Sequence, residues 1–415
     1  MSILRKLKRK FFSLIPPRTR GKVIRSFVNI QPLPPHVEVK IARTQSELEQ
    51  AFALLHDCYV KLGYMDPHPS GMRITPYHAL PSTTTLIVEK NGEVIATLSI
   101  VRRSTFGFPL ERIFDIDFLK INGVRLAEIS GLAIAPQYRH NGGQYLFPLL
   151  KYMYEYCLNY FGVDVLLIAV NPNQIDFYEH LLFFNRIQEK TVDNYSFVNG
   201  APAVGGYLNL RKAYTDFANH YAGKKENQDL FNYFRSKPSP AFVFPEREFH
   251  QISDPIMTPQ LLDHFFNKKT DIFARMEEPE RGRIARLYNH KKYREVFPEN
   301  EWDREITRTD RQKRFDVNCE GRICLSKNII ISIKVLNVSH EGLCAIVPRK
   351  LRYGETLFAN VAVGQWEIAD LKVFPVWNKD EQYGFKVDES SENWKKFIAH
   401  LNSTLLHESD GEAAA

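Results

Sequence analysis

Residues 126–134 read LAEISGLAI, an apolar run in which Glu128 is the one charged group. A carboxylate in such a strand must be paired or functional, because leaving it alone out of water costs several kcal/mol. It can hold an amino group or take a proton from one, which points to an amine as the attacking partner. Strand alternation that turns it toward solvent, or an internal ion pair, is the competing structural account. Directly after this run comes APQYRHNGGQ, with Arg139, Gly142 and Gly143 ahead of a predicted helix. A helix N-terminus presents unpaired N–H groups and the positive end of a dipole, so this junction suits a phosphate. A second apolar run, VLLIAV, then leads to Phe177 and Tyr178 beside the same place.

These residues need elements to hold them. Residues 45–62 have the period of an amphipathic helix, with Ser46 as N-cap and Glu49 closing a capping box. Residues 85–101 alternate around Asn91-Gly92, which predicts a hairpin. Strands over 125–134 and 163–170, helices over 144–161 and 173–182, and strands near 192–211 complete a mixed α/β pattern. Residues 213–300 read as a connecting helical layer without a catalytic pattern. Beyond Arg304 short strands follow one another between turn residues, the signature of a small barrel or sandwich.

The 415 residues exceed what one core usually supports, and 44% hydrophobic with 25% charged residues is an ordinary globular composition. Five cysteines, odd in number and without metal-ligand spacing, indicate a reduced, cytoplasmic setting. Cys319 and Cys324 read as small core residues, and no metal site is expected. Nine of the 55 basic residues fall in 1–37 with no acid, leaving 46 against 48 acidic residues elsewhere. In that tail Ile3, Leu4, Leu7, Phe11, Leu14 and Ile15 share one helical face, and Pro16-Pro17 ends it. Residues 1–25 are thus a candidate peripheral membrane contact, at the inner face of the cytoplasmic membrane. A solvated or nucleic-acid-binding basic arm is the competing reading, and nucleic acid is not the expected partner.

With YHALPSTTTLIVEKNGEVIATLS upstream and NGAPAVGGYLNL downstream of the runs quoted above, residues 37–212 resemble a GNAT-type N-acyltransferase. The likeness is nearer to the long-chain N-acyl amino acid synthases, relatives of the acyl-homoserine-lactone synthases. It implies a GNAT α+β fold without a tightly bound cofactor, and an acyl donor that is acyl carrier protein or acyl-CoA. It assigns Arg139, Gly142, Gly143, Leu132 and Ala133 to the donor's phosphopantetheine arm, and gives Tyr178 the role of protonating the leaving thiol. Packing on the core is the alternative for Tyr178. His78 and Thr83–Thr85 fall in the first quoted run and read as core or pocket wall. Gly131 stands where the homoserine-lactone synthases carry an arginine, which argues against S-adenosylmethionine as acceptor. Gln144 occupies a family glycine or alanine slot, which favours a single-phosphate donor over coenzyme A. Arg102, Arg103, Arg139 and Lys151 are candidate docking charges for an acidic carrier protein. No serine elbow, catalytic cysteine or metal cluster is evident in the sequence, so direct attack by the amine is expected.

Within the C-terminal strands, Asn337-Val338-Ser339-His340-Glu341-Gly342 follows Arg308, Arg311 and Arg314. This pairing resembles a PilZ domain, which implies cyclic di-GMP binding. Guanidinium groups fork onto phosphate oxygens and stack on guanine. Asn337 and Ser339 supply short polar arms, and Gly342 permits a backbone shape that a Cβ would forbid.

The expected organisation is a basic amphipathic segment at 1–30, the acyltransferase at 37–212, a helical linker at 213–300, an all-β PilZ barrel at 304–405 and an unstructured tail at 406–415. The expected activity is transfer of a long-chain acyl group from acyl carrier protein to the amine of an amino acid, regulated by cyclic di-GMP. Two other classes fit the same residues: a silent acyltransferase-shaped adaptor, and a coenzyme A-dependent acetyltransferase. Any coupling between the two units is expected to pass through 213–300.

Overall fold

The computed structural model describes residues 17–297 and 314–404, apart from 105, 122, 140, 141, 255, 289, 290, 327 and 328. Two sheets organise it. The first has nine strands: β1 (Val37–Ile41), β2 (Thr83–Lys90), β3 (Glu93–Arg102), β4 (Leu126–Ile134), β5 (Val165–Val170), β6 (Asn185–Arg186), β7 (Val192–Tyr195), β8 (Ala201–Asn209) and β9 (Phe242–Val243). Their order is β6-β8-β5-β4-β3-β2-β1-β9, with β7 on β8. The β4–β5 and β1–β9 pairs are parallel, and the others antiparallel. The hairpin between β2 and β3 turns at Asn91 and Gly92, both with left-handed φ of 51° and 81°. Those angles match the right-handed twist of the flanking strands.

Both faces of this sheet are covered, and the central strands are accordingly apolar along most of their length. On one face lie α1 (Pro17–Ser26), α3 (Leu146–Glu155), α4 (Ile175–Leu181), α5 (Leu210–Tyr221) and α6 (Leu230–Arg235). On the other lie α2 (Gln45–Leu62), α7 (Pro259–Asp263), α8 (Ile272–Arg275) and α9 (Glu278–Leu287). Helix α2 is capped by Thr44, not Ser46: Thr44 Oγ1 accepts from Glu47 N at 3.2 Å, and Glu47 accepts back from Thr44 N at 2.9 Å. Glu47 also pairs with Lys40 of β1 at 3.0 Å, which favours the earlier start. Pro17 opens α1, a position where its missing N–H is harmless. Arg20 meets Asp176 at 3.1 Å and Arg25 donates to the His180 carbonyl at 2.8 Å, so part of the basic segment is engaged with α4. Residues 1–16 and 405–415 lie outside the described residues. No helix among the described residues is long and apolar enough to cross a membrane.

The region 213–300 does more than connect. It contributes β9 to the sheet, and Asp254 to a buried cluster. Asp254 accepts from Thr84 Oγ1 at 2.6 Å, from Tyr156 Oη at 2.9 Å and from Arg247 at 2.5 Å. A buried ion pair of this kind survives only when its remaining hydrogen-bonding capacity is also met.

The second sheet is a closed antiparallel barrel of β10 (Phe315–Ser326), β11 (Ile329–Ser339), β12 (Gly342–Ile346), β15 (Gln382–Ser390), β14 (Ile368–Lys379) and β13 (Leu357–Ala362), in that order. Helix α10 (Glu392–Thr404) adds Trp394, Phe397, Ile398 and Leu401 to the barrel core. Cys319 is buried there, whereas Cys324 is half-buried.

The two sheets meet at Arg125, the residue before β4. In β10, Val317 and Asn318 together face Leu336 of β11, and Leu336 is also the extra residue against β12. Such a bulge withdraws backbone groups from the ladder. The Arg125 guanidinium fills the gap: it donates to the carbonyls of Val317, Leu336 (3.2 Å) and Phe161 (3.3 Å), and to Asn318 Oδ1 (3.1 Å). A second contact joins Phe249 to Gly364 as a β-bridge. The route between the units is therefore direct, in addition to the one expected through 213–300.

Candidate active site

Strands β4 and β5 pair only from Leu126 to Glu128 against Val165 to Leu167. Beyond Glu128 no strand pairs with β4 on that side among the described residues, and the sheet opens. The backbone there has no neighbouring strand on that side among the described residues, while the Ile134 carbonyl already accepts from Arg139 Nε and Cys58 Sγ. A bulge sits in the same stretch, where Gly131 and Leu132 face Leu98. Ala133 is buried opposite Thr97 and Leu132 packs half-buried on the core. Neither side chain reaches the cleft described next.

Glu128 stands at the mouth of this opening. It is 2% exposed, and its one hydrogen bond among the described residues comes from Leu110 N at 3.0 Å. It makes no ion pair among them. Burial raises its pKa from 4.5 to about 8, with Glu111 adding to the rise against the Leu110 hydrogen bond. A carboxyl poised there can exchange a proton with an amine near neutral pH.

Beside Glu128 runs a narrow cleft whose walls include Tyr59, Arg73, Tyr77, His78, Ser130 and Phe197. Tyr59, Tyr77 and Tyr195 all feel the Glu128 charge. His78 is a wall residue held neutral: burial, then the Arg73 charge, pushes its pKa down to about 3. Its Nδ1 accepts from Thr75 N at 3.0 Å and so caps the local turn. Thr84 is spent on Asp254, while Thr85 faces Ser99 at 3.4 Å. Tyr178 lies on α4, with its ring against Phe177 and Phe184 at 5.2 and 5.7 Å. Burial, with a smaller push from Tyr59, raises its pKa, so the phenol keeps its proton. It therefore packs on the core and still approaches the Tyr59 side of the cleft. Arg73, Tyr59, Tyr77 and Tyr195 escape sequence reasoning, since no spacing links positions so far apart.

The loop after β4 holds Gly142 and Gly143 at φ of 62° and 91°. A Cβ on Gly143 would stand 2.4 Å from the Phe147 ring, so glycine is required there. Arg139 is turned back rather than offered to a phosphate: Nε donates to the Ile134 carbonyl at 2.7 Å and Nη2 to Cys58 Sγ at 2.9 Å. Gln144 donates to the Pro32 carbonyl at 3.3 Å, which lays the linker across the loop. Two expected docking charges are also engaged inside the fold. Lys151 is buried and donates to the Tyr233 and Ser236 carbonyls at 2.7 and 2.9 Å, closing the end of α6. Arg102 is buried over the Phe161 ring at 3.9 Å and donates to the Pro81 carbonyl. Arg103 stays exposed.

On the opposite face of the sheet an apolar cavity of about 80 Å³ lies between α3, β5, β8, α5 and α6. Leu150, Leu166, Leu208, Phe217, Phe231 and Phe234 line it.

In the barrel, Arg314 donates to Asn337 Oδ1 at 2.9 Å and is exposed. Ser339 is buried with Oγ 3.3 Å from the Gly342 carbonyl. Arg308 and Arg311 lie outside the described residues. Gly342 is needed for a reason other than a special backbone angle: its φ is not positive, and a Cβ would meet the Phe385 carbonyl at 2.7 Å.

Residues 50–209 match the family model of the N-acyl amino acid synthase FeeM. No curated protein matches the chain. Among solved structures the chain is similar to FeeM, an N-acyl amino acid synthase from uncultured soil microbes, with 23% identity over 44% of this chain and 95% of that one (TM-score 0.38). It is similar to the coenzyme A-dependent acyl-homoserine lactone synthase BjaI, with 15% identity over 51% and 95% (TM-score 0.38). It is also similar to Escherichia coli ElaA, with 12% identity over 42% and 99% (TM-score 0.29). Glu128, Arg73 and all four tyrosines named above lie inside the matched segment. The mixed α/β unit is that of an N-acyltransferase.

Proposed function

We propose that this N-acyltransferase moves a long-chain acyl group from acyl carrier protein to the amine of an amino acid, and that cyclic di-GMP bound at the barrel regulates it. The observation that carries the first half is Glu128, a buried carboxyl without an ion-pair partner among the described residues, its pKa raised to about 8 where β4 and β5 part. A thioester laid in that opening would have its carbonyl against the stretch of β4 that no neighbouring strand pairs on that side among the described residues, where N–H donors can stabilise the developing oxyanion. Glu128 would then take the proton of the attacking amine, and Tyr178, kept protonated, would return one to the departing thiolate. The apolar cavity behind the sheet would seat the acyl tail, reached through the same opening. The remaining docking charge for an acidic carrier is Arg103, with the backbone of Gly142 and Gly143 for the phosphate of the carrier arm. Arg314 against Asn337, beside a buried Ser339, supports the second half, because a guanidinium and an amide oxygen adjoin on one exposed edge.

The test is mass spectrometry on purified protein with long-chain acyl-acyl carrier protein or the matching acyl-CoA, mixed amino acids, and cyclic di-GMP present or absent. An N-acyl amino acid formed faster from the carrier protein is the expected product. Preference for the CoA ester would correct the donor, and yields unchanged by nucleotide would remove the regulation. Failure to form product from either donor would overturn the acyl transfer to amino acids.

A further inference from the structure

We infer that Arg73 and Tyr195 form a carboxylate-binding subsite, which makes the acceptor an amino acid held by its own free acid group; this rests on the acyl transfer proposed above. Arg73 is 9% exposed. Its guanidinium donates to the Phe197 carbonyl at 2.7 Å, lies 4.0 Å from Met65 Sδ, and is sandwiched between the Tyr59 and Phe197 rings at 4.3 and 5.1 Å. Among the described residues it makes no ion pair with Asp or Glu. The groups that favour its charge are the Tyr59 and Tyr195 phenols. Arg247, by contrast, has Asp254 as its anion at 2.5 Å. At Arg73 none of the described side chains supplies one.

The Tyr195 hydroxyl makes a second, independent case. It is buried, 2% exposed, and has no hydrogen-bond partner among the described residues. An orphaned buried hydroxyl carries a desolvation cost that a ligand can relieve. Its ring stacks on Phe197 at 5.7 Å, the residue whose carbonyl takes one arm of the Arg73 fork, and it feels the Glu128 charge. A donor hydroxyl beside a forked cation is the arrangement that recognises a carboxylate. Glu128 flanks the cleft that Arg73 lines, its strand partner Val101 and its neighbour Ser130 standing in the wall, and it is suited to an amine. An amine held at Glu128 and an acid held at Arg73 would be the two ends of one amino acid, between aromatic walls.

The cleft is nearly closed, with about 10 Å³ of free space, and the Phe197 carbonyl occupies one arm of the Arg73 fork. Entry of the acceptor therefore requires the turn Ser196–Val198 to move outward, so that the incoming carboxylate replaces that carbonyl.

The test compares each amino acid with its own carboxamide, in the wild type and in Arg73→Met and Arg73→Lys, using acyl-acyl carrier protein and mass spectrometry. The wild type should prefer the acid by about 100-fold in kcat/KM, the scale set by leaving a buried charge without its partner. In Arg73→Met that preference should collapse, through loss on the acid and little change on the amide. Arg73→Lys, which keeps charge without the fork, should fall between them. Equal use of acid and amide by the wild type, or a preference that survives in Arg73→Met, would overturn the subsite. Thermal shift provides a reading independent of turnover: amino acids should raise the Tm of the wild type, their amides should not, and Arg73→Met should respond to neither. Absence of any product together with that acid-selective shift would reject the acyl transfer and keep the subsite. Absence of an acid-selective shift in a folded wild type that also discriminates no acid from amide would reject the subsite alone.

Discussion

Replacing Glu128 by glutamine keeps the shape of the side chain and removes the group that titrates. The amide oxygen introduced there can still accept from Leu110 N, so the local packing is retained. In the folded protein burial lifts the Glu128 pKa from 4.5 to about 8. The native state therefore keeps this proton between those values while the unfolded chain has released it. Stability from this group is complete below pH 4.5, declines as pH rises through the window, and stops declining above about pH 8. A shift of this size at about 1.4 kcal/mol per unit is worth up to about 5 kcal/mol. Glu128→Gln should be less affected by alkali: relative to wild type it should gain up to that amount between about pH 5 and about pH 9. Urea unfolding followed by circular dichroism at several pH values measures the difference, and hydrogen exchange in β4 localises it. Over the same range the wild-type kcat/KM should rise toward about pH 8 as the base ionises, while the variant should lack that rise and fall about 10²–10⁴-fold below the wild type once the base is ionised. Parallel stability–pH curves for the two proteins would refute the reasoning, because Glu128 would then not be the group that burial holds protonated. Full turnover in the variant would refute its role as base.

The remaining predictions concern the frame. Arg125→Met should leave the carbonyls of Val317 and Leu336 without a donor and uncouple the two sheets. Three of the four tryptophans, Trp366, Trp377 and Trp394, lie in the barrel unit, and Trp302 lies outside the described residues, so fluorescence should then follow mainly a transition separate from the one seen by circular dichroism; coincident curves would count against the coupling. In the same variant, cyclic di-GMP should bind but no longer alter turnover, as calorimetry paired with the activity assay would reveal. Asp254→Ala strips Arg247, Tyr156 and Thr84 of their common acceptor and should destabilise the fold by about 3–5 kcal/mol, read as a drop in the urea midpoint; a change under about 1 kcal/mol would show that the cluster is dispensable.

Several features are legible because their cause is local. Asn91-Gly92 can turn only a few ways, and the alternating runs on either side of it make a hairpin. The apolar run 126–134 reads as a strand and is one in the fold, and Glu128 within it is conspicuous from composition alone. The short strands after Arg304 suggest a small all-β unit, and the structure closes them into a six-stranded barrel. Even the cap of α2 stands only two positions from the expected one, because Thr44 and Ser46 offer the same chemistry and the choice rests on Lys40 in a neighbouring strand.

Charge is where local reading fails. Arg139, Arg102 and Lys151 look alike in sequence, as solvated cations available to a partner. Each is instead absorbed by backbone carbonyls: Ile134, Pro81, and the end of α6. Arg73 fails in the opposite sense. It attracts no attention in the run Met72-Arg73-Ile74, yet the fold leaves it without an acid among the described residues and sets it in the cleft beside Glu128. The sequence alone determined which residues could carry charge, turn the chain or fill a core. Which charges are satisfied and which still seek a partner was decided by the tertiary structure. Burial strengthens electrostatic interactions, and whether a group is buried beside its counter-ion depends on contacts between residues far apart in the chain.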